Sequence, residues 1–331
     1  MSKTTDPLQF FGEDGQVKTP EQTSPKKPTT SAPNDPWLTN EAFYLGVPVR
    51  TEAHPMIPSA HIVEEYANDL ADEETQDLLK LLAHSDPTLI FGGHGTGKTE
   101  MVKFVNARLR RPMWTIQGRA QLEWEDFVGR YNPDDAGAGH YDKGPLVLAM
   151  EAGGTLLIDE AASISQGILN GLNEVGNGGN LTVTNKNGYE VVEPRPGFSL
   201  VATMNPWDKY GGNNRLNIAY LDRFAVRRKK YMRPDAEMSL LGEKFPQVDA
   251  KIIRNLVNFA VNLRDRAEKD TESDHYTVST RMLQTVCRGI EKYDLSPIRS
   301  LESNVFSIIA LVAPDQLPAI QTVAMNIVGT K

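Results

Sequence analysis

The chain has 331 residues, 40% hydrophobic and 24% charged, enough apolar material for one large or two modest globular domains. Its 43 acidic against 35 basic residues leave a formal charge of −8, which argues against an unassisted binder of duplex nucleic acid while leaving local basic patches open. No apolar run approaches the roughly 18 residues of a membrane span, and the opening MSKTTDPLQFFGEDG lacks the apolar block of a secretory signal, so a cytoplasmic protein without a membrane partner is expected.

Residues 1–36 are polar and repeatedly broken by Pro7, Pro20, Pro25, Pro28, Pro33 and Pro36, the composition of a disordered arm. Between 59 and 84 the spacing of Ile62, Tyr66 and Leu70, then of Leu78, Leu79 and Leu82, predicts helices entering a folded core. Short apolar runs at 88–91, 155–158 and 198–203 follow, and helical patterns are read after them at 98–109, 166–175 and 225–231. That alternation predicts an α/β core with a parallel sheet between helices, because strands buried on both faces read as continuous apolar runs. Past Pro234 the strand runs stop, and the spacing at 252–263, 280–290 and 305–312 predicts an all-helical domain over 235–331, leaving 37–234 as the core. The lone Cys287 has no disulfide partner and reads as a small apolar filler of one of these helices.

The segment Gly92-Gly93-His94-Gly95-Thr96-Gly97-Lys98-Thr99 satisfies the Walker A pattern and lies between an apolar run and an amphipathic helix, where such a loop has to sit. The glycines let backbone N–H groups wrap phosphate oxygens, and the positive end of the next helix adds to the attraction. Residues Gly92 through Glu100 are therefore the expected cradle for ATP, with Lys98 reaching the β and γ phosphates and Thr99 offering a hydroxyl to Mg²⁺. His94 contributes only backbone on this reading.

A second apolar run, 155–158, ends in Asp159 and Glu160, at the strand end where open α/β sheets bind ligands. Successive strand side chains point opposite ways, so the two carboxylates divide the work: Asp159 serves Mg²⁺ and Glu160 polarises the attacking water. A third run, 198–203, leads to Asn205, whose amide is placed to orient that water. Standing alone, Asp-Glu is a common strand end and Asn-Pro a turn signal; the Walker A motif upstream gives both their weight.

These elements, with Leu221-Asp222-Arg223-Phe224 downstream, resemble the AAA+ family and more narrowly its MoxR-like branch of CbbQ, NorQ, GvpN and CobS types, over about residues 57–287. The resemblance implies a P-loop NTPase fold with a parallel sheet of five strands, helices on both faces and a small helical lid. It assigns Asn205 as sensor 1, Arg223 as the finger reaching a neighbouring subunit's γ-phosphate, and Arg281, in Ser279-Thr280-Arg281, as sensor 2 over the phosphates of its own subunit. Arg215, Arg227 and Arg228 are rivals for the finger, since all four guanidiniums share the same chemistry, and Arg223 has the alternative of a surface ion pair with Asp222. Residues 118–132, followed by Tyr141 through Leu146, fall where the branch carries its helix-2 insert. Residues 181–192 read independently as a β-hairpin with alternating strand formers about Asn187-Gly188, at the place of the branch's pre-sensor 1 hairpin. Trp124 and Phe127 are candidates either for gripping a polypeptide or for packing their own insert. The polar stretch 207–215 does not choose among the subfamilies.

The resemblance further implies a homo-oligomeric ring, a hexamer, that spends ATP on remodelling or activating a protein client, with a von Willebrand factor A domain protein as a candidate partner. A CobS-like motor subunit of a metal chelatase belongs to the same mechanical class. A nucleic-acid-dependent motor and a nucleotide-gated assembly protein with little turnover are the alternatives from other classes.

Overall fold

A computed structural model describes residues 43–59, 73–132, 139–185, 188–205, 221–269 and 276–329, all within the compact unit 41–331. The expected arm at 1–36, the helical positions Ile62, Tyr66 and Leu70, and the 207–215 stretch with Arg215 lie outside these residues.

A short hairpin, β1 (Phe43–Tyr44) and β2 (Val47–Pro48), turns through Leu45 and Gly46, both at positive φ. Helix α1 (Glu73–Ala83) buries Leu78, Leu79 and Leu82 and leads to β3 (Thr88–Phe91), followed by α2 (Lys98–Leu109) and β4 (Met113–Gln117). The insert supplies α3 (Glu125–Val128) and the antiparallel ribbon of β5 (Gly129–Asn132) and β6 (His140–Lys143). Pro145 then opens α4 (Pro145–Ala152), where a missing N–H costs nothing. Next come β7 (Thr155–Asp159), α5 (Gln166–Gly176), the hairpin β8 (Leu181–Asn185) and β9 (Gly188–Val192), β10 (Ser199–Met204) and β11 (Ala225–Arg228). In the hairpin, Asn185 pairs with Gly188, so Gly188 begins the second strand.

Five strands form one all-parallel sheet in the order β11-β3-β10-β7-β4. The three central strands are the three apolar runs of the sequence, and β10 is buried at every position. Both edge strands depart from the sequence reading. Residues 225–228 are a strand, not the expected helix, and Met113–Gln117 is a strand that no apolar run announces. An edge strand has one neighbour and one partly wet face, so Arg227 and Arg228 tolerate exposure and Thr115 and Gln117 alternate outward.

The lid is helical, as its spacing predicts: α6 (Pro234–Lys244), α7 (Ala250–Lys269), α8 (Thr280–Tyr293), α9 (Pro297–Leu301), a π-turn (Glu302–Phe306), α10 (Ser307–Val312) and α11 (Leu317–Ile327). It has its own core, in which Leu256, Phe259, Leu283, Val286, Leu301 and Ile309 are buried, separate from the cluster around Leu156, Ile158 and Ala202 on the sheet. Cys287 is buried there, and desolvation pushes its thiol up to about 12, so it fills space as a neutral group. No helix among the described residues is long and apolar enough to cross a membrane.

One charged pair lies inside the lid. Arg264 on α7 grips Glu237 on α6 with both guanidinium nitrogens, at 2.7 and 2.9 Å, the two side chains being 7% and 0% exposed. Removing one partner strands the other charge away from water. Glu237→Ala is therefore expected to destabilise the lid by about 3–5 kcal/mol; a urea midpoint close to wild type, read by circular dichroism, would contradict this.

Candidate nucleotide site

The loop after β3 runs between two close neighbours that explain its glycines. A Cβ on Gly92 would lie 2.3 Å from the carbonyl oxygen of Lys229, and one on Gly95, at φ +67, would lie 2.5 Å from Cβ of Ser279 at the start of α8. Gly97 precedes α2 in the left-handed region at φ 85, which glycine adopts without the Cβ clash.

Lys98 donates from Nζ to the carbonyls of Gly92 (2.8 Å) and Gly93 (3.0 Å) and to Oδ1 of Asn205 (3.0 Å). Burial lowers its pKa to about 8; Asp159 and then Glu160 oppose that shift, and Arg281 adds to it. Thr99 donates its hydroxyl to Oδ2 of Asp159 at 3.1 Å across 60 residues of sequence. Thr203 donates to the other oxygen, Oδ1 of Asp159, and accepts from the backbone N–H of Glu160 at 3.2 Å. Glu160 sits at φ 59, ψ 48, a left-handed kink that takes its exposed side chain off the line of β7.

Although His94 is exposed, partial desolvation first and then the charge of Lys98, with Arg281 adding to it against the pull of Glu160, hold its pKa below the ordinary value. Glu100, in the first turn of α2, turns to Lys103 at 2.8 Å. Arg281 stands in the first turn of α8, whose N-cap Ser279 accepts from the N–H of Met282. Between the loop and the lid lies a cavity of about 230 Å³ lined by Gly95, Thr96, Gly97 and Glu100 on one side and by Leu240, Lys244, Thr280 and Arg281 on the other, with Met232 beside them.

The structure thus brings Lys98, Thr99, Asp159 and Asn205 into one hydrogen-bonded cluster, with Glu160 and Arg281 within electrostatic reach of Lys98. Arg223 is exposed on the turn after Leu221 and is no part of that cluster. Of its rivals, Arg228 is tied to Glu268 of its own lid at 3.0 Å and Arg227 donates to the carbonyl of Val226. Trp124 and Phe127 stack on each other, Phe127 fully buried and Trp124 lying over Gly171, so they pack the insert. Sequence reasoning gives no role to Thr203, which lies on β10 two residues before Asn205, the residue that follows that strand. Met232, Leu240 and Lys244 carry no sequence signal, because only the packing of the lid beside the loop brings them there.

The donors suit a magnesium nucleotide. Thr99 and Asp159 present two hard oxygens side by side, the kind of donor that Mg²⁺ takes, and these two residues would hold it. Among the described residues no trio of His, Cys, Asp or Glu forms a stronger metal cluster. A parallel sheet, a glycine loop feeding a helix N-terminus and an acidic strand end one strand removed from that loop's strand define a P-loop nucleoside triphosphatase. The family described as "AAA domain (dynein-related subfamily)" matches residues 87–224. The chain is 31% identical over 210 residues to the denitrification regulatory protein NirQ of Stutzerimonas stutzeri, covering 62% of this chain and 73% of NirQ. It is 28% identical over 220 residues to CbbQ of Hydrogenophilus thermoluteolus, covering 66% of this chain and 79% of CbbQ. Against midasin of Giardia intestinalis it is 32% identical over 148 residues, 44% of this chain and only 3% of that protein. This chain belongs to the MoxR-like branch of the AAA+ ATPases.

The half-buried Lys98 carries a pH dependence. Phosphate oxygens beside Lys98 would raise its pKa above about 8, so nucleotide uptake by the neutral amine takes up a proton. ATP affinity is expected to be flat below pH 8 and to fall above it, by up to about tenfold per unit. Titration with a fluorescent nucleotide from pH 7 to 10 checks this, and an affinity that rises with pH would refute it.

Proposed function

We propose that this chain assembles into a homo-oligomeric ring of six subunits that hydrolyses ATP and uses the cycle to remodel or activate a partner protein in the cytoplasm. The observation that carries the reading is the convergence of Lys98, Thr99, Asp159 and Asn205 at one end of the sheet, facing a lid that brings Arg281. Lys98 and Arg281 neutralise phosphate charge, and the N–H groups at the start of α2 hold the oxygens in place. Thr99 and Asp159 would hold Mg²⁺, which would supply neutralisation of phosphate charge. Glu160, turned out of the strand and exposed, polarises the attacking water, and Asn205 fixes that water from the other side while steadying Lys98.

Arg223, exposed and apart from the phosphate cluster of its own subunit, suits a finger that serves the neighbour. Arg228 suits that role less, being committed to Glu268. For the client, accessible apolar groups on the projections are Tyr189, 83% exposed, with Val191 on the hairpin and Tyr131 on the insert ribbon. NirQ is named a regulatory protein, which agrees with an activator of other proteins; a von Willebrand factor A domain protein is the proposed partner class.

Glu160→Gln is expected to retain ATP and accumulate as a ring in size-exclusion chromatography while turnover drops about 10²-fold or more; unchanged turnover would remove Glu160 from this role. A mixing experiment tests the finger. Arg223→Ala and Glu160→Gln are each expected to be nearly inactive alone and to recover activity in mixed rings, where an intact Glu160 meets an intact Arg223 across one interface. Mixed rings that stay inactive would sink the assignment in trans.

A further inference from the structure

Tyr231 lies between β11 and α6, where the chain leaves the sheet for the lid. Its backbone is pinned beside the phosphate loop, since the N–H of Lys229 donates to the carbonyl of Phe91 at 2.7 Å and the carbonyl of Lys229 closes on Gly92. The phenol oxygen donates to the carbonyl of His94, inside the Walker A loop, at 3.0 Å, and stands 3.1 Å from Oγ1 of Thr277, which precedes α8. A phenol has one proton, and the carbonyl can only accept, so the Thr277 hydroxyl is the donor in the second bond. A Cβ on Gly93 would lie 3.1 Å from the same phenol oxygen, so the loop is shaped around it.

The ring itself lies under a guanidinium. Cζ of Arg264 is 4.2 Å from the ring centroid, and this is the arginine locked to the buried Glu237. Its Nε donates to the carbonyl of Val278 at 2.9 Å. Three consecutive lid residues are thereby held from outside their helix: Thr277 by Tyr231, Val278 by Arg264, and Ser279 by its contact with Gly95. Arg281 follows two residues later, in the first turn of α8. An aromatic needed only for packing would leave its oxygen to water; here the oxygen joins the two bodies that enclose the nucleotide.

We propose that Tyr231 is a positioning residue, whose hydroxyl clasps the lid to the phosphate loop and so sets Arg281 over the phosphates. This role rests on the proposed binding of phosphate by Arg281. Burial raises the Tyr231 pKa above the ordinary phenol value, so the donor to His94 persists across the working pH range.

The clasp is tested by a double-mutant cycle on the full chain, with dissociation constants for the non-hydrolysable analogue AMP-PNP and for ADP in the presence of Mg²⁺. Tyr231→Phe keeps the ring on Arg264 and deletes only the hydroxyl. It is expected to weaken AMP-PNP binding about three- to tenfold, the worth of one or two hydrogen bonds, and ADP binding less than about twofold. Tyr231→Phe combined with Arg281→Ala should be no worse for AMP-PNP than Arg281→Ala alone, because the hydroxyl acts through that arginine. Losses that multiply in the double variant, or a Tyr231→Phe protein that weakens both nucleotides equally, would mark a purely structural role and overturn the clasp. Wild-type AMP-PNP affinity in Tyr231→Phe beside a weakened Arg281→Ala would overturn the clasp alone. Wild-type affinity in Arg281→Ala would instead overturn the phosphate assignment on which it stands.

Discussion

The site depends on the register of three parallel strands. β10 is paired so that Met204 faces Phe91 of β3 and Ala202 faces Ile158 of β7. The strands therefore end level, and the groups at their C-terminal ends, the glycine loop, Asp159 with Glu160, and Asn205, arrive on one edge of the sheet. Thr203 is the next step of that register, which explains its bond to Asp159. A slip of one residue in β7 would invert its alternation and turn Asp159 away from Thr99, and the hydrogen bond between them would be lost without any change of composition.

The lid supplies the second half of the enclosure through a different kind of constraint. It has its own apolar core and an internal ion pair, and it meets the sheet domain through close backbone approaches rather than a large shared core. Gly92 and Gly95 are small because the chain after β11 and the start of α8 pass too near for a side chain. The chain as a whole is acidic, yet Lys98, Arg281 and the start of α2 concentrate positive potential where the loop opens. Asp159 and Glu160 sit within that potential and oppose the burial-driven loss of the Lys98 charge. Such a balance of burial and opposed charges favours a ligand that is itself anionic and brings a cation.

The projections follow the same economy of placement. The insert lays Trp124 over Gly171 of α5 and buries Phe127, so its helix is a support. Its ribbon and the neighbouring hairpin leave Tyr131, Tyr189 and Val191 exposed on short two-stranded sheets. A two-stranded ribbon cannot bury both of its faces, which makes these elements suited to meeting another surface.

The sequence by itself determined the central strands, the loop between β3 and α2, and the helical character of the lid, because each is a local pattern: a continuous apolar run, a glycine spacing with Lys98, a 3.6-residue period. It also carried the family, in Asp159, Glu160, Asn205 and the Leu221 to Phe224 motif. What it did not carry were the two edge strands, one read as helix and the other passed over, since a strand with one partner need not be apolar throughout. Nor could it show Thr203 on Asp159, Arg228 on Glu268, or Tyr231 between loop and lid. Those contacts join residues 40 or more positions apart, and only the register of the strands and the packing of sheet against lid decide which distant side chains meet.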